Sequence, residues 1–281
     1  MSCELTGLVG PDLATCAYGM SRLSFRGPKA REDAPYMAFL GANETFAPFV
    51  ERCFAQQIAE SQGVGCVNLG QRAGGIECYL RDVSLLNIAR QARAVVIEVP
   101  SALNLSNAIY KVHPRRNDRF VGLSDRVRPA LSTVDLTEVH FTGHLARTLA
   151  ASAGHLWSQI VRHVQATWVA SMQKLLDHLG ETEVHLLWLG RSLPPIASDH
   201  IRPQMPDLVT RGMMDAVAPM VQSVVEFSAT DAARAEGVGG MVFAPQSLPA
   251  AELMWGAAVH REIASAVQDA LGAAPSKKAR A

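Results

Sequence analysis

The residues best placed to do chemistry are carboxamides, hydroxyls and backbone amides gathered in glycine-bearing turns. Two segments share one design, a short apolar run that halts in a polar turn. They are Tyr36-Met37-Ala38-Phe39-Leu40-Gly41-Ala42-Asn43-Glu44-Thr45 and Gly65-Cys66-Val67-Asn68-Leu69-Gly70-Gln71-Arg72-Ala73-Gly74-Gly75. A third apolar run, Ala94-Val95-Val96-Ile97-Glu98-Val99, precedes Asn104. Backbone N–H groups near Gly41 and Gly70, with the side chains of Asn43 and Asn104, are donors suited to an anionic or carbonyl oxygen. Thr45 and Ser101 offer hydroxyls beside them. The same residues also serve structure, because glycine permits tight turns and Asn, Ser or Thr caps helices.

A second constellation is basic. His113, Arg115, Arg116 and Arg119 fall within seven residues, shortly after Asn107, with Asp118 the lone acid among them. Arginine forks match phosphate, sulfate or carboxylate in pairs of bonds, so this loop is a candidate substrate-binding lid; a solvated charged face is the alternative. His140 and His144 are four apart and would share a helix face. Glu138 points off that face and Gly143 interrupts the helix, so no metal is expected there. Neither a Gly-x-Gly-x-x-Gly turn nor a Walker loop occurs, and no cofactor is implied.

The elements that must position these groups alternate along the chain. Strands are expected at 37–40, 65–69, 94–99, 184–189 and 224–227. Helices are expected at about 46–61, at 83–92 with Asp82 as N-cap, at 136–151, 154–180 and 210–221, and at 250–271 with a break near Gly256. The helix over 154–180 carries Leu156, Ile160, Val164, Trp168, Met172 and Leu176, an apolar stripe that needs a partner surface. Residues 1–35 read as an extended arm, 101–135 as an irregular insertion, 191–206 as a Pro-rich loop and 273–281 as a disordered tail. Strands alternating with helices predict an α/β, three-layer α/β/α sandwich around a mainly parallel five-stranded, flavodoxin-like sheet, in one domain over 36–272. Such sheets bind ligands beyond the carboxyl ends of their strands.

Composition narrows the function classes. The chain has 281 residues, 48% hydrophobic and 19% charged, which suits a globular domain with a sizeable core. Its 26 basic and 26 acidic residues cancel, leaving no general field for nucleic acid or an anionic membrane. No apolar run approaches the roughly 20 residues that span a bilayer, and the N-terminus has no secretory pattern. Five cysteines without a Cys-x-x-Cys predict reduced thiols in a cytoplasmic protein.

The blocks resemble those of the SGNH hydrolase fold, the GDSL-type esterases and acyl-transfer enzymes. Phe39-Leu40-Gly41-Ala42-Asn43 is similar to the first block, Asn68-Leu69-Gly70 with Ala73-Gly74 to the second, and Val96-Ile97-Glu98-Val99 with Asn104 to the third. Asn104-Leu105-Ser106-Asn107 and His113-Pro114-Arg115-Arg116-Asn117-Asp118-Arg119-Phe120 also resemble segments of an uncharacterised bacterial family, a domain of unknown function. The SGNH resemblance implies Gly70 and Asn104 as oxyanion donors. Asn43 stands where that family has its serine, and an amide nitrogen is no nucleophile at neutral pH. His260 is the histidine whose chain position suits a general base, although no acid precedes it by three. The site is therefore expected to be degenerate. It would bind a small polar, anionic or acylated metabolite, with atypical acyl transfer or ester hydrolysis as its reaction. The competing expectation is a non-catalytic interaction protein, in which the 154–180 stripe would make a homodimer or scaffold surface.

Overall fold

The computed structural model describes residues 14–197 and 206–273; the first part of the expected arm, the middle of the Pro-rich loop and the tail lie outside the described residues. The arm forms a small antiparallel pair, β1 (Thr15–Cys16) and β2 (Phe25–Arg26). The main sheet comprises β3 (Tyr36–Leu40), β4 (Gly65–Asn68), β5 (Ala94–Glu98), β8 (Glu183–Trp188) and β9 (Ser223–Glu226). These are parallel in the order β4-β3-β5-β8-β9, the flavodoxin-like arrangement.

Why the sheet forms follows from its side chains. Its three central strands are buried on both faces, which is why they read as nearly unbroken apolar runs. Alternation sends Met37, Phe39, Ala94, Val96 and Leu187 to one face. Ala38, Leu40, Val95, Ile97, Val184 and Leu186 go to the other. Against the first face lie α2 (Phe54–Ser61), α8 (Asp231–Ala235) and, after the short α9 (Leu248–Ala251), α10 (Ala257–Ala273). Against the second lie α3 (Ile76–Leu80), α4 (Val83–Gln91), α5 (Thr142–Ser152), α6 (Leu156–Leu179) and α7 (Arg211–Val217). The result is the three-layer α/β/α sandwich. Among the described residues no helix is long and apolar enough to cross a membrane.

The α6 stripe is core. Ile160, Val164, Trp168, Met172 and Leu176 are buried against the sheet, and the Trp168 indole donates to the Pro100 carbonyl at 2.9 Å. Truncating a buried tryptophan of this kind costs about 3–5 kcal/mol. Gly180 ends the helix with φ of 60°, a left-handed region that suits glycine. Asp82 caps α4 through its side chain, as its position predicts.

Four expectations need correction. The helix over 46–61 is two pieces, α1 (Asn43–Phe46) and α2, because Ala47 precedes Pro48 and leaves the helical region at φ 49°. Residues 76–80, between the glycine turn and Asp82, where no element is expected, form α3. The 101–135 insertion contains an antiparallel hairpin, β6 (Tyr110–His113) and β7 (Arg116–Leu123). Its second strand is too rich in charge to show apolar alternation. The 136–151 helix starts only at Thr142, so His140 lies before it and shares no helix face with His144.

Candidate functional site

The connections after β3 and β5 leave toward opposite faces of the sheet, since α2 packs on one side and α5 with α6 on the other. That divergence opens a crevice at the carboxyl ends of the two strands. It holds a cleft of about 380 Å³, walled by Asn43, Glu44, Ala73, Glu98, Asn104, Asp118, Phe141, Thr142, Arg191, Asp207 and Trp255, among others. Small-molecule sites begin at roughly this volume. A larger surface groove lies at the opposite end of the strands, lined by Glu32, Arg90, Arg93 and Glu183, far from the polar turns.

The turn after β3 is built around one carboxylate. Glu98 ends β5 and its Oε2 accepts the N–H of Ala42 and of Thr45, each at 2.9 Å, and the Thr45 hydroxyl. This fixes α1 at the strand tip. A Cβ on Gly41 would come within 2.5 Å of Glu98 Oε2, so only glycine allows the approach. Asn68 braces the turn from β4: its amide donates to the Thr45 carbonyl and its Oδ1 accepts the Gly70 N–H at 2.9 Å. Arg26, 5% exposed, reaches from the arm and donates to the carbonyls of Phe46, Ala47, Val50 and Glu51, which the broken helix leaves open.

Asn43 and Asn104 meet in the cleft. Asn43 Oδ1 accepts the Ala73 N–H at 2.9 Å, and Asn104 Oδ1 accepts the Thr142 hydroxyl at 2.7 Å. Each oxygen is thereby engaged, which turns the NH2 groups into the available donors. Gly70 does not join them. Its amide serves Asn68, and a Cβ there would lie 2.5 Å from the Phe46 nitrogen, so the glycine lets two turns pack. Thr45 is buried, its hydroxyl spent on Glu98 and absent from the cleft wall.

His260 is fully buried in α10. It stacks on Phe54, and its Nδ1 accepts the Phe54 N–H at 3.2 Å. Burial, helped by the charge of Arg26, lowers it from 6.5 to about 3, so the ring is neutral with its proton on Nε2. That Nε2 stands 3.7 Å from Glu44 Oε2, behind the cleft wall, and the ring itself does not line the cleft.

The hairpin supplies one wall. Asn117, 0% exposed, docks it by accepting the Gly75 N–H at 2.9 Å and donating to the His113 carbonyl at 3.0 Å. His113 Nδ1 accepts from Arg115 and Arg116 nitrogens and closes the hairpin turn, at whose tip Arg115 is exposed. Asn107 is a turn residue whose Oδ1 accepts from Ile109 and Tyr110. Arg116 lies 3.5 Å from Asp118, and Arg119 stacks over Phe141 at 5.7 Å.

Four acidic residues of the wall escaped the sequence reading as site groups. Burial, then the charge of Glu98, holds the Glu44 carboxyl well above the usual carboxylate range; both its oxygens lie 3.3 Å from the Trp255 N–H. Burial also raises Glu98 and Asp118, the latter against the charges of Arg116 and Arg119. Asp207, 3.4 Å from the Ser101 hydroxyl, is raised by burial from 3.8 to about 7. Glu98 could have been noticed as the single charge in a β-branched run, and Glu44 as the neighbour of Asn43. Asp207 and Arg191 carried no local signal. Burial thus raises the proton affinity of four carboxyls that line one cleft.

Fold and cleft together define an α/β protein with a flavodoxin-like parallel sheet and a carboxyl-lined polar pocket at its switch point. The chain belongs to the family described as Domain of unknown function (DUF6473), which matches residues 1–275. No curated protein matches it. Solved structures similar to it include the lipase Lip_vut3 from a goat rumen metagenome, with TM-score 0.43, 12% identity, and 84% of this chain and 97% of that one covered. Another is a carbohydrate esterase family 2 enzyme with a carbohydrate-binding domain from Corynascus thermopiles (Myceliophthora fergusii), with TM-score 0.41, 12% identity, and 88% and 69% covered.

Proposed function

We propose that this is an SGNH-like protein whose strand-tip cleft binds a small polar metabolite and acts on an acyl or ester bond through a carboxylate. The supporting observation is the convergence of Asn43 and its neighbour Glu44 with Asn104 and Asp207, from three distant parts of the chain, on one cleft. A serine-type mechanism is disfavoured. Asn43 fills the serine position, and His260 has Nδ1 committed to a backbone amide. Glu44 is assigned the general-base role because its carboxyl stands in the cleft wall beside Asn43. In this reading Glu44 takes a proton from water as the water oxygen bonds to the carbonyl carbon. The resulting oxyanion faces the NH2 groups of Asn43 and Asn104. Collapse breaks the bond to the leaving oxygen, and Glu44 returns the proton to it.

The test combines thermal shift across a library of polar and acylated metabolites with turnover of p-nitrophenyl esters. Expected are saturable rises in Tm that vanish in Asn43→Ala and Asn104→Ala, and turnover lost in Glu44→Gln. A flat library, or shifts undiminished in both asparagine variants, overturns the reading. A non-catalytic binding protein is the second reading, favoured by the enclosure of His260; ligand shifts without any turnover select it.

A further inference from the structure

Among the described residues, five buried side-chain nitrogen or oxygen atoms lack a hydrogen-bond partner, and four of them lie in one cluster: Arg72 Nε, Arg116 Nε, Arg119 Nε and Asp118 Oδ1. Buried polar groups are normally satisfied, so such a concentration needs a cause. Arg72 comes from the glycine turn after β4, the others from β7, and the two segments are joined where Asn117 docks at Gly75. The guanidinium of Arg72 lies 4.7 Å over the Phe46 ring and that of Arg119 5.7 Å over Phe141, so aromatic faces fix both planes. Arg116 Nε and Asp118 Oδ1 face each other across a long ion pair of 3.5 Å, with side chains 25% and 24% exposed, so each has room for a closer partner. Asp118 faces the charges of Arg116 and Arg119, and Arg72 has no carboxylate partner of its own among the described residues. Arg72 is close enough to Arg116 for the second charge, added to burial, to depress its proton affinity. The cluster borders the cleft, since Asp118, Phe141 and Ala73 belong to its wall.

We propose that Arg72, Arg116 and Arg119 form an oxyanion subsite at the cleft mouth that takes a phosphate monoester group of the ligand, whose polar remainder lies against Asn43 and Asn104. The proposal rests on the cleft reading above. A dianion neutralises the two charges that Asp118 leaves uncompensated, and guanidinium forks present the planar pairs of donors that phosphate oxygens accept. Arg72, which the basic-loop pattern did not include, is part of this subsite, and the exposed Arg115 at the hairpin tip is not.

The experiment is titration calorimetry and thermal shift with inorganic phosphate against chloride at matched ionic strength, on the full chain. Phosphate is expected to bind saturably to the wild type. Arg72→Met and Arg116→Met should each weaken it about ten- to hundredfold, the loss of one charged hydrogen-bonding partner. Arg116→Lys, which keeps the charge and folds without a large-to-small change, should weaken it less. Arg115→Ala should leave it unchanged. Phosphate binding retained in Arg72→Met and Arg116→Met, equal loss in Arg115→Ala, or no saturable binding at all overturns the subsite. Those outcomes leave the cleft reading standing if neutral polar ligands still shift Tm in an Asn104-dependent way.

Discussion

Asp207→Asn should stabilise the protein at neutral pH, by an amount that depends on pH in a defined direction. Burial moves the Asp207 carboxyl from 3.8 to about 7, and the Ser101 hydroxyl and the charge of Arg147 only partly oppose it. The folded chain thus holds this proton where the unfolded chain releases it. Stability contributed by the group is complete below about pH 4 and declines as pH rises to about 7, then stays level. Each unit of displacement is worth about 1.4 kcal/mol, so the full loss would be about 4 kcal/mol, and partial exposure at the cleft wall reduces it to about 2–4 kcal/mol. Asparagine keeps an oxygen for Ser101 and cannot ionise. Urea unfolding of wild type and variant at constant ionic strength, from pH 4.5 to 8.5, measures the difference directly. The two curves should meet near the acid end and separate by that amount above pH 7. A difference independent of pH, or a variant less stable at pH 8, would refute the assignment of a buried, reluctantly ionised acid.

Two more perturbations test other parts of the site. His260 has its proton affinity depressed from 6.5 to about 3, so its stability contribution is present above pH 6.5 and lost as pH falls toward 3. His260→Gln should flatten the acid limb of an unfolding curve by about 4–5 kcal/mol over that window, and acid limbs parallel to wild type would count against it. Glu98→Ala orphans three buried donors on Ala42 and Thr45 and should lower stability by about 3 kcal/mol or more, with Glu98→Gln recovering part of it. Calorimetric unfolding checks this, and an alanine variant as stable as wild type would show that Glu98 does not hold the turn.

The sheet was legible because its strands announce themselves chemically. The runs over 37–40, 65–69 and 94–99 are short, apolar and closed by glycine or proline, and each became a strand with little change of bounds. Helix boundaries failed where one residue's conformation decided them. The pattern from Phe46 to Ile58 keeps helical spacing across Pro48, yet Ala47 breaks it. The hairpin was illegible for another reason: Arg116, Asn117 and Asp118 carry no apolar alternation, and the strand is held by pairing with β6 and by its docking at Gly75. In the site, Asn43 and Asn104 were recognisable from their turns. Gly70 was assigned an amide that a side chain two residues away already occupies. Asp207 and Arg191 lie in long connections, and only the closing of the sheet brings them to the cleft.

Asn117 fastens the β6–β7 hairpin through its carboxamide and leaves the parallel strands untouched. The hairpin thus stands beside the parallel sheet, clipped by Asn117 and anchored in the core by Tyr110 and Val112. On the proposed function, change within it would alter which molecules the cleft admits while the five strands keep their register. On that same proposal, a chain that keeps Asn117 but differs at Arg72, Arg116 and Arg119 would share this architecture and differ in the anion it takes.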